Sequence, residues 1–466
     1  MIHCSERVSS RWWGSMVCED EELFAELPVV SPRPVKEGAG AVRVQEACRD
    51  QIELQVVDLD SLVCEDHRVR AVWAFVESLD LGPLYDQVGS REHVAGRPPI
   101  DVKILMTLWL YATIEGLGSA RQLAAFCKRD HVYRWICGGV SVNHHTLSDF
   151  RVAHGGFLDR LLSESVSALV SEGLVSLERL AQDGLKLRAS AGAGSFRREE
   201  RLEVLLEEAE ARVAALKREL HDDPQASSRR KQAAQERAAR ERVSRIQAAQ
   251  ERLQELKAER ERRAKTNKAE VAKQGKLRAS TSDPDARVMK MADGGYRPAY
   301  NIQIAGDPES QVITGIGIDT KGSDRGRTTP MLEQHRRRYK RMPRDYLVDG
   351  GYTKNEAIEW AFDPDNGPTR LYCPPTKTKH KTDPYAPRRR DGPGVADWRE
   401  RMASPQGQAI LRERPLFECI NAHLRNRGLI QLNVRRWVKA KTILLWHALA
   451  HNLLRMISLR QAKATP

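Results

Sequence analysis

Apolar side chains between about residues 58 and 175 recur every three or four positions, a spacing that predicts amphipathic helices. The clearest run comes just after the paired prolines at 98–99, and its apolar members are Ile104, Leu105, Leu108, Trp109 and Tyr111. Residues 1–55 instead mix acids, prolines and glycines. We therefore expect a poorly ordered N-terminal arm over 1–55 and an all-helical domain over 56–172.

A heptad pattern sets residues 197–276 apart from the rest of the chain. Apolar positions there step alternately by four and three residues, at Leu202, Leu206, Ala209, Val213, Leu216 and Leu220. Pro224 cannot continue that helix, so the charged helix that follows should fold back on it. The segment is predicted to be a coiled-coil helical hairpin. Its charged outer side is interpreted as a solvated face, with contact to DNA or to a second copy of the chain as the alternative.

Short apolar runs of strand character flank this hairpin. They lie at 175–183, 300–304, 312–318, 346–348 and 371–373. With the hairpin set aside, the predicted order is strand, two-stranded hairpin, helix, strand, helix, strand, helix. This order predicts an α/β fold with a mixed sheet and helices on both faces, over residues 173–196 and 277–460.

Two of the predicted strands run into an aspartate followed by glycine. Asp183 ends the first strand, and Asp349 ends the fourth. Either residue alone is consistent with a turn, and Asp349 also with a helix cap. The first and fourth strands of such a sheet can lie side by side, and ligands bind at the carboxyl ends of parallel strands. We therefore expect the two carboxylates to meet.

A third acidic residue, Glu418, lies in a predicted helix near the C-terminus. Leu411, Arg414, Glu418 and Arg425 are spaced so that one helix would place all four on a single face. An Arg–Glu pair at this spacing is usually a weak surface ion pair. The alternative reading makes Glu418 the third member of a carboxylate cluster.

Carboxylates that converge repel each other and do not all stay ionised without a cation. Mg²⁺ prefers hard oxygen ligands of this kind, and Mn²⁺ accepts the same donors. Two such ions stabilise the attacking and the leaving oxygen in phosphoryl transfer. In this hypothesis Asp183 bridges two ions, Asp349 holds one, and Glu418 completes the site of the other.

The net charge of the chain is +13, from 76 basic and 63 acidic residues. Such a surplus favours a polyanionic partner, most commonly nucleic acid, although a protein can be basic without one. Within the helical domain the candidate DNA contacts are Arg97, Arg121, Arg134 and Arg151. Contact with another protein explains the same basic helices.

The eight cysteines form no C-x-x-C pair, which argues against a zinc ribbon and a disulfide scaffold. No apolar run reaches the ~18 residues of a membrane span. These features predict a soluble cytoplasmic protein without a membrane partner.

Several motifs resemble those of DDE-type bacterial insertion-sequence transposases. Arg414-x3-Glu418-x6-Arg425 is similar to the Tyr-x2-Arg-x3-Glu-x6-Lys signature around the catalytic glutamate of that family, with Leu411 at the Tyr position. The sequences around Asp183 and Asp349 resemble those around the two catalytic aspartates of the family. Further similar segments lie at 96–99, 145–151, 282–287 and 295–301.

The resemblance implies an RNase H-like catalytic core with a helical insertion. It also implies binding of double-stranded DNA at the terminal inverted repeats of an element, hydrolysis that frees a 3′-OH, and strand transfer to target DNA. Arg414 and Arg425 would face phosphate, and the protein would assemble as a homo-oligomer on DNA at the nucleoid. Two alternatives stay open, a catalytically inactive transposon-derived DNA-binding protein and a nuclease of the same fold without strand transfer.

Overall fold

The computed structural model describes residue 56 and residues 58–90, 98–222, 229–265, 277–375 and 383–464. The predicted N-terminal arm lies outside the described residues. From Val57 onwards the chain forms one compact unit that combines a mixed sheet with many helices. The α/β class and the mixed sheet are thus as predicted, while the division into domains stays a prediction.

The helical part that precedes the sheet is built around one helix that is buried along its whole length. Its elements are α1 (Arg68–Glu77), α2 (Gly82–Tyr85), α3 (Val102–Ile114), α4 (Ala120–Arg129), α5 (His131–Cys137), α6 (His144–Ala153) and α7 (Gly155–Ser171). The central helix is α3, whose apolar residues include Leu108 and Trp109. It begins at Asp101, whose side chain accepts a hydrogen bond from the Lys103 amide at 2.8 Å. This cap fixes the start of the helix that the apolar pattern predicts.

A six-stranded sheet forms the second part. The strands of the chain are β1 (Arg179–Arg188), β2 (Phe196–Arg197), β3 (Ala279–Ser280), β4 (Arg287–Lys290), β5 (Tyr296–Gly306), β6 (Ile313–Asp319), β7 (Asp345–Leu347) and β8 (Arg370–Tyr372). The main sheet has the strand order β6-β5-β1-β7-β8. The short β4 pairs with the beginning of β5, on the side of β5 that faces away from β1. β5 is antiparallel to β1 and β6, whereas β7 and β8 run parallel to β1. β2 and β3 pair separately.

The register between β1 and β7 brings the first and fourth predicted strands together, because Ala181 lies opposite Leu347. One prediction about β1 was wrong. Asp183 does not end the strand, which continues to Arg188, and it lies opposite Ile304 of β5. The long β5 supplies backbone partners to β1 beyond the point where β7 stops, so the Asp-Gly sequence does not have to turn.

The inserted segment between β2 and β3 is an antiparallel helical hairpin. It consists of α8 (Glu199–Asp222) and α9 (Arg229–Ala264). Buried side chains from both helices form its seam: Leu202, Ala209, Ile246, Ala249 and Leu253. Glu199 at the start of α8 accepts hydrogen bonds from Gln254 and Lys257 near the end of α9. The predicted turn at Pro224 lies outside the described residues.

The helices that follow cover the sheet and join it to the helical part. They are α10 (Thr328–Tyr339), α11 (Asn355–Phe362), α12 (Pro393–Ala403), α13 (Pro405–Leu411), α14 (Arg414–Asn426) and α15 (Trp437–Ala464). The long α15 packs against α3, α7 and β6. Its Asn452 side chain pairs with both backbone groups of Ile313, at 2.8 and 2.7 Å. α15 therefore supplies the partners for the backbone at the start of β6, while its apolar residues enter the shared core.

The described residues bear on two predictions, the absence of a membrane span and the absence of a disulfide scaffold. None of the helices there is long and apolar enough to cross a membrane. The described cysteines are free thiols: Cys64, Cys127, Cys137, Cys373 and Cys419.

A cluster of charges at Glu259 ties the helical hairpin to the sheet. The Glu259 carboxylate lies 2.8 Å from Arg287 of β4 and 2.9 Å from Lys321, which follows β6. Burial alone would raise the pKa of Glu259, but the hydrogen bonds from Lys321 and Arg287 outweigh it and lower the pKa to about 2. The ionised carboxylate is thus favoured in the folded state.

We predict that Glu259→Gln lowers Tm by a few degrees at neutral pH, because Arg287, Lys321 and, on α9 itself, Arg263 lose their common partner. A depressed carboxyl pKa stabilises the fold above the unfolded value near 4.5 and ceases to do so as pH falls toward about 2. The difference in Tm between wild type and variant should therefore shrink across that window, as followed by circular dichroism. The matched control is Glu255→Gln, since among the described residues Glu255 on the same helix has one ion-pair partner, Arg252. Equal Tm values for both variants at neutral pH would show that the ion pairs of Glu259 do not stabilise the fold.

Candidate active site

Asp183 lies in the middle of β1, opposite Ile304 of β5 and two residues past the last residue that pairs with β7, and its side chain is only 20% exposed. One carboxylate oxygen, Oδ2, accepts a hydrogen bond from Asn421 Nδ2 at 2.6 Å, and Oδ1 lies 3.9 Å from Arg414 Nη1. Burial raises the pKa of Asp183, and the Gly184 amide and the Arg414 charge only partly oppose this. The carboxylate is therefore undercompensated in the folded protein.

Asp349 lies two residues beyond the end of β7, in a tight turn. Its Oδ1 accepts a hydrogen bond from the Gly351 amide at 2.7 Å. A Cβ on Gly351 would lie only 2.9 Å from that oxygen, so a larger residue there would displace the Asp349 carboxylate. Asp349 does not cap α11, because that helix begins after Lys354 without a side-chain cap. The turn thus holds the carboxylate half-buried at the edge of the sheet.

Glu418 lies on α14, which packs against β1. Its carboxylate is half-exposed and accepts a hydrogen bond from Arg414 Nη2 at 2.6 Å. The prediction that Leu411 shares this helix face was wrong, since α13 ends at Leu411 and α14 begins at Arg414. Pro415 explains the break, because proline is suited to the first turn of a helix and not to its interior.

The three predicted carboxylates occupy one region around Asp183. Both Asp349 and Glu418 are close enough to raise the pKa of Asp183 further. They do not form a finished ligand cluster, because within the described ranges no three His, Cys, Asp or Glu side chains are grouped closely enough to hold a metal ion. Arg414 takes the intervening position, with contacts to both Asp183 and Glu418.

Sequence reasoning missed Asn421, although the signal was available in its position three residues after Glu418. Its amide nitrogen holds Asp183, while its Oδ1 is buried and has no hydrogen-bond partner. A buried amide oxygen without a partner is unfavourable by about 1–3 kcal/mol. Asn421 therefore offers an unused oxygen donor directly beside the carboxylates.

Comparison with families of known proteins finds two matches. Residues 57–153 match the transposase domain DUF772, and residues 276–453 match the transposase DDE domain, so the two matches cover more than half of the chain. The chain belongs to the DDE transposases. Comparisons with curated proteins and with solved structures found no match. The DDE match includes Asp349 and Glu418, whereas Asp183 lies before it, on the other side of the helical hairpin.

A buried polar network on the sheet connects the strand of Asp183 to the turn of Asp349 in the transposase. Gln303 of β5 accepts hydrogen bonds from Gln182 at 2.7 Å and from the Tyr352 hydroxyl at 2.6 Å. The Tyr346 hydroxyl of β7 donates to Gln182 at 2.9 Å, and Gln303 donates to Asp324 at 2.8 Å. Because buried polar groups are costly when unpaired, this network favours one relative position of the strands. Sequence reasoning also missed this network and Asp324.

The predicted arginine contacts have different environments. Arg121 and Arg134 are exposed on α4 and α5, and Arg97 lies outside the described residues. Arg151 is buried, donates to the Gly118 carbonyl, and has its guanidinium 4.8 Å from the centre of the Trp109 ring. Arg151 therefore packs the helical core, and the prediction that it contacts DNA is corrected: its position among apolar helices leaves it no open face. Its basic character in the sequence gave no indication of this burial.

We predict that Asp183→Asn raises the Tm of the metal-free transposase at neutral pH. Because the folded pKa is raised, ionisation disfavours the folded state at all pH values above it, and the effect disappears below the unfolded value near 3.8. Addition of Mg²⁺ should raise the Tm of the wild type and leave the variant unchanged. Differential scanning fluorimetry in EDTA and in Mg²⁺ measures both effects.

Asp307→Asn is the matched control, because burial also raises the pKa of Asp307, whose carboxylate is satisfied by Ser310. This variant should keep the Mg²⁺ response. An equal Mg²⁺ response in the Asp183 variant would show that Asp183 does not take part in metal binding.

Proposed function

We propose that the transposase binds the terminal inverted repeats of its element as double-stranded DNA and catalyses metal-dependent strand cleavage and strand transfer. Asp183, Asp349 and Glu418 are the proposed catalytic and metal-binding residues. The observation that carries the proposal is the position of Asp183 in β1, near the turn of Asp349 and the helix of Glu418. Its carboxylate is only 20% exposed, and neighbouring groups compensate its charge only in part. A stable fold without function would have little reason to keep an acid there.

The strand order supports an RNase H-like core. Five strands of the main sheet lie in the spatial order β6, β5, β1, β7, β8. The central strand β1 is antiparallel to β5 and parallel to β7. In the proposed division, the core is interrupted after its first strand by the coiled-coil hairpin, and a separate helical DNA-binding domain precedes it.

The side chains present fit a divalent cation. Three carboxylates provide hard oxygen donors, and the unpartnered Asn421 Oδ1 lies beside them. Asp183, Asp349 and Glu418 would hold two Mg²⁺ or Mn²⁺ ions, which supply stabilisation of the attacking and leaving oxygens when bound. Arg414 now neutralises the acids, and its contact with Glu418 would have to open.

Arg414 and Arg425 would then act on the DNA backbone. Arg414 is only 20% exposed and lies between two carboxylates, so release from them turns its guanidinium toward a phosphate near the reacting bond. Arg425 lies about three turns after Arg414 on α14 and is exposed. On the helical domain, Arg121 and Arg134 remain the proposed contacts to the repeat. The assembly on DNA is proposed to be a homo-oligomer in the bacterial cytoplasm, at the nucleoid.

The deciding experiment is cleavage of duplex DNA that carries the flanking element ends, in Mg²⁺, by wild type and Asp349→Ala. We expect the variant to lose cleavage by on the order of 10⁴-fold, the usual cost of removing one member of a catalytic unit. The matched control, Asp365→Ala, removes an exposed aspartate after α11 and should cut like the wild type.

Each other outcome identifies one of the alternatives. Specific binding of the element ends without cutting by any of the proteins would favour the inactive DNA-binding protein. Cutting that Asp349→Ala abolishes, without joining of the freed ends to target DNA, would favour the nuclease. Equal cutting by wild type and Asp349→Ala would refute the assigned site.

A further inference from the structure

A small cavity lies where the helical part of the transposase meets the helices that end the chain. It has a volume of ≈ 30 Å³, which is room for about two atoms of the size of a water oxygen. Its walls come from α3, α6, α14 and α15, and two arginines line it, Arg151 of α6 and Arg427 at the end of α14. Arg151 belongs to the DUF772 match and Arg427 to the DDE match, so the cavity joins the two.

The walls of the cavity are held by a close backbone contact and by buried hydrogen bonds. Gly116 and Gly428 follow α3 and α14 in the left-handed conformation, and a Cβ on Gly428 would lie 2.7 Å from the Gly116 carbonyl oxygen. The indole groups of Trp109 and Trp446 each donate to a backbone carbonyl at 2.9 Å. The cavity is therefore a fixed part of the packing, and its two indole donors already have partners.

Two residues that line the cavity keep a buried nitrogen without a hydrogen-bond partner. Arg151 is 9% exposed, and its Nε has no acceptor, although Nη1 of the same guanidinium donates to the Gly118 carbonyl. The Nδ1 atom of His447 is also buried and unpartnered. Burial, and then the charges of Arg427 and Arg151, lower the pKa of His447 to about 4, so its ring is neutral at pH 7 and can carry a hydrogen on Nδ1. One acceptor in the cavity would supply both missing partners.

The two guanidinium charges at the cavity are not balanced by a carboxylate. Among the described residues, neither Arg151 nor Arg427 has an acid within ion-pair distance, and Glu115 is paired with Arg68 at 3.2 Å. Burial alone lowers the pKa of Arg151, while burial and then the charge of Arg68 lower that of Arg427. Arg427 contacts the His451 ring at 3.1 Å, which brings no negative charge. Because arginine stays charged in proteins and buried charges are ordinarily paired, a counter-charge is missing here.

A basic recess near the base of the hairpin shows the contrast. Several cations line it, among them Arg263, Arg287, Lys321 and Arg327. The first three pair with Glu259, and Arg327 pairs with Asp319. The chain thus supplies its own carboxylates where it gathers cations at that recess, whereas the described residues supply none at the cavity of Arg151 and Arg427.

We propose that this cavity binds a monatomic anion, chloride, which bridges the guanidinium groups of Arg151 and Arg427. The ligand is negative because it lies against two permanent positive charges, and it accepts the hydrogen bond that Arg151 Nε lacks. A water molecule would satisfy the nitrogens but leave the charge unbalanced. The volume is too small for phosphate, sulfate or a carboxylate ligand.

The bound anion joins residues of both transposase domains and therefore stabilises the junction between the helical part and the helices α14 and α15. The inference does not depend on the proposed function, because neither DNA nor any of the three carboxylates takes part in it. Its test uses no DNA, so its failure leaves the cleavage assignment untouched, and failure of that assignment leaves the anion site untouched.

The first test measures Tm by differential scanning fluorimetry, in EDTA, while sodium chloride replaces sodium gluconate. Ionic strength is kept constant, so that general screening by salt does not change. Tm of the wild type should rise with chloride concentration, as expected for a ligand that binds the folded state. Arg427→Gln removes one of the two charges and should weaken the apparent chloride affinity at least about tenfold, the loss expected for a hydrogen bond to a charged group.

The matched control is Arg455→Gln. Arg455 is a half-buried arginine of α15 that donates to the Ser310 carbonyl at 2.8 Å and does not line the cavity. This variant should keep the chloride response of the wild type even if its Tm is lower throughout. Equal chloride responses of the two variants, or the same Tm of the wild type in chloride and in gluconate, would overturn the inference.

Crystals of the wild type grown in sodium bromide provide a second readout that does not require any variant to fold. Bromide is a monatomic anion with a measurable anomalous signal, and we expect its peak in the cavity between Arg151 and Arg427. Density for a water molecule without an anomalous peak would show that water satisfies the two nitrogens, and the anion site would be refuted.

Discussion

A carboxylate in the interior of a central strand is the constraint on which the rest of this structure depends. Asp183 pairs with β5 on one side and lies under α14, and its side chain is only 20% exposed, so water cannot solvate it fully. Burial raises its pKa, and two further acids nearby raise it more. The surrounding structure compensates with one hydrogen bond from Asn421 and a distant guanidinium from Arg414. Such partial compensation is a cost that is retained where a cation or substrate is to supply the remainder.

The buried network behind the site explains how that position is kept. Gln182, the neighbour of Asp183, points to the opposite side of the sheet and hydrogen-bonds to β5 and β7 residues. Tyr352 joins the same network from the turn that holds Asp349. A shift of one strand would leave several buried amide and hydroxyl groups unpaired at once. The relative position of the two aspartates is thus secured by groups that never touch the site.

The helical hairpin separates Asp183 from Asp349 and Glu418 along the chain, and hydrogen bonds and apolar contacts within the hairpin and at its base hold it in place. The helical hairpin departs after β2 and returns at β3, and these two short strands pair with each other. The hairpin has its own apolar seam and is fixed to the sheet through Glu259. Its insertion therefore leaves the register of β1 with β5 and β7 unaffected.

The sequence alone determined the kinds of elements, because apolar period and helix breakers act locally. It predicted the hairpin from heptad spacing, the mixed sheet from short apolar runs, and Asp183, Asp349 and Glu418 as the acids to examine. It could not show that β1 runs past Asp183, since that depends on the backbone partners that β5 supplies. Nor could it separate Arg151, buried over Trp109, from Arg425, exposed in a groove, because charge in a sequence carries no information on burial. The hydrogen bond from Asn421 to Asp183 and the contact of Arg414 with Asp183 arise only where distant segments meet, and tertiary structure alone decides them.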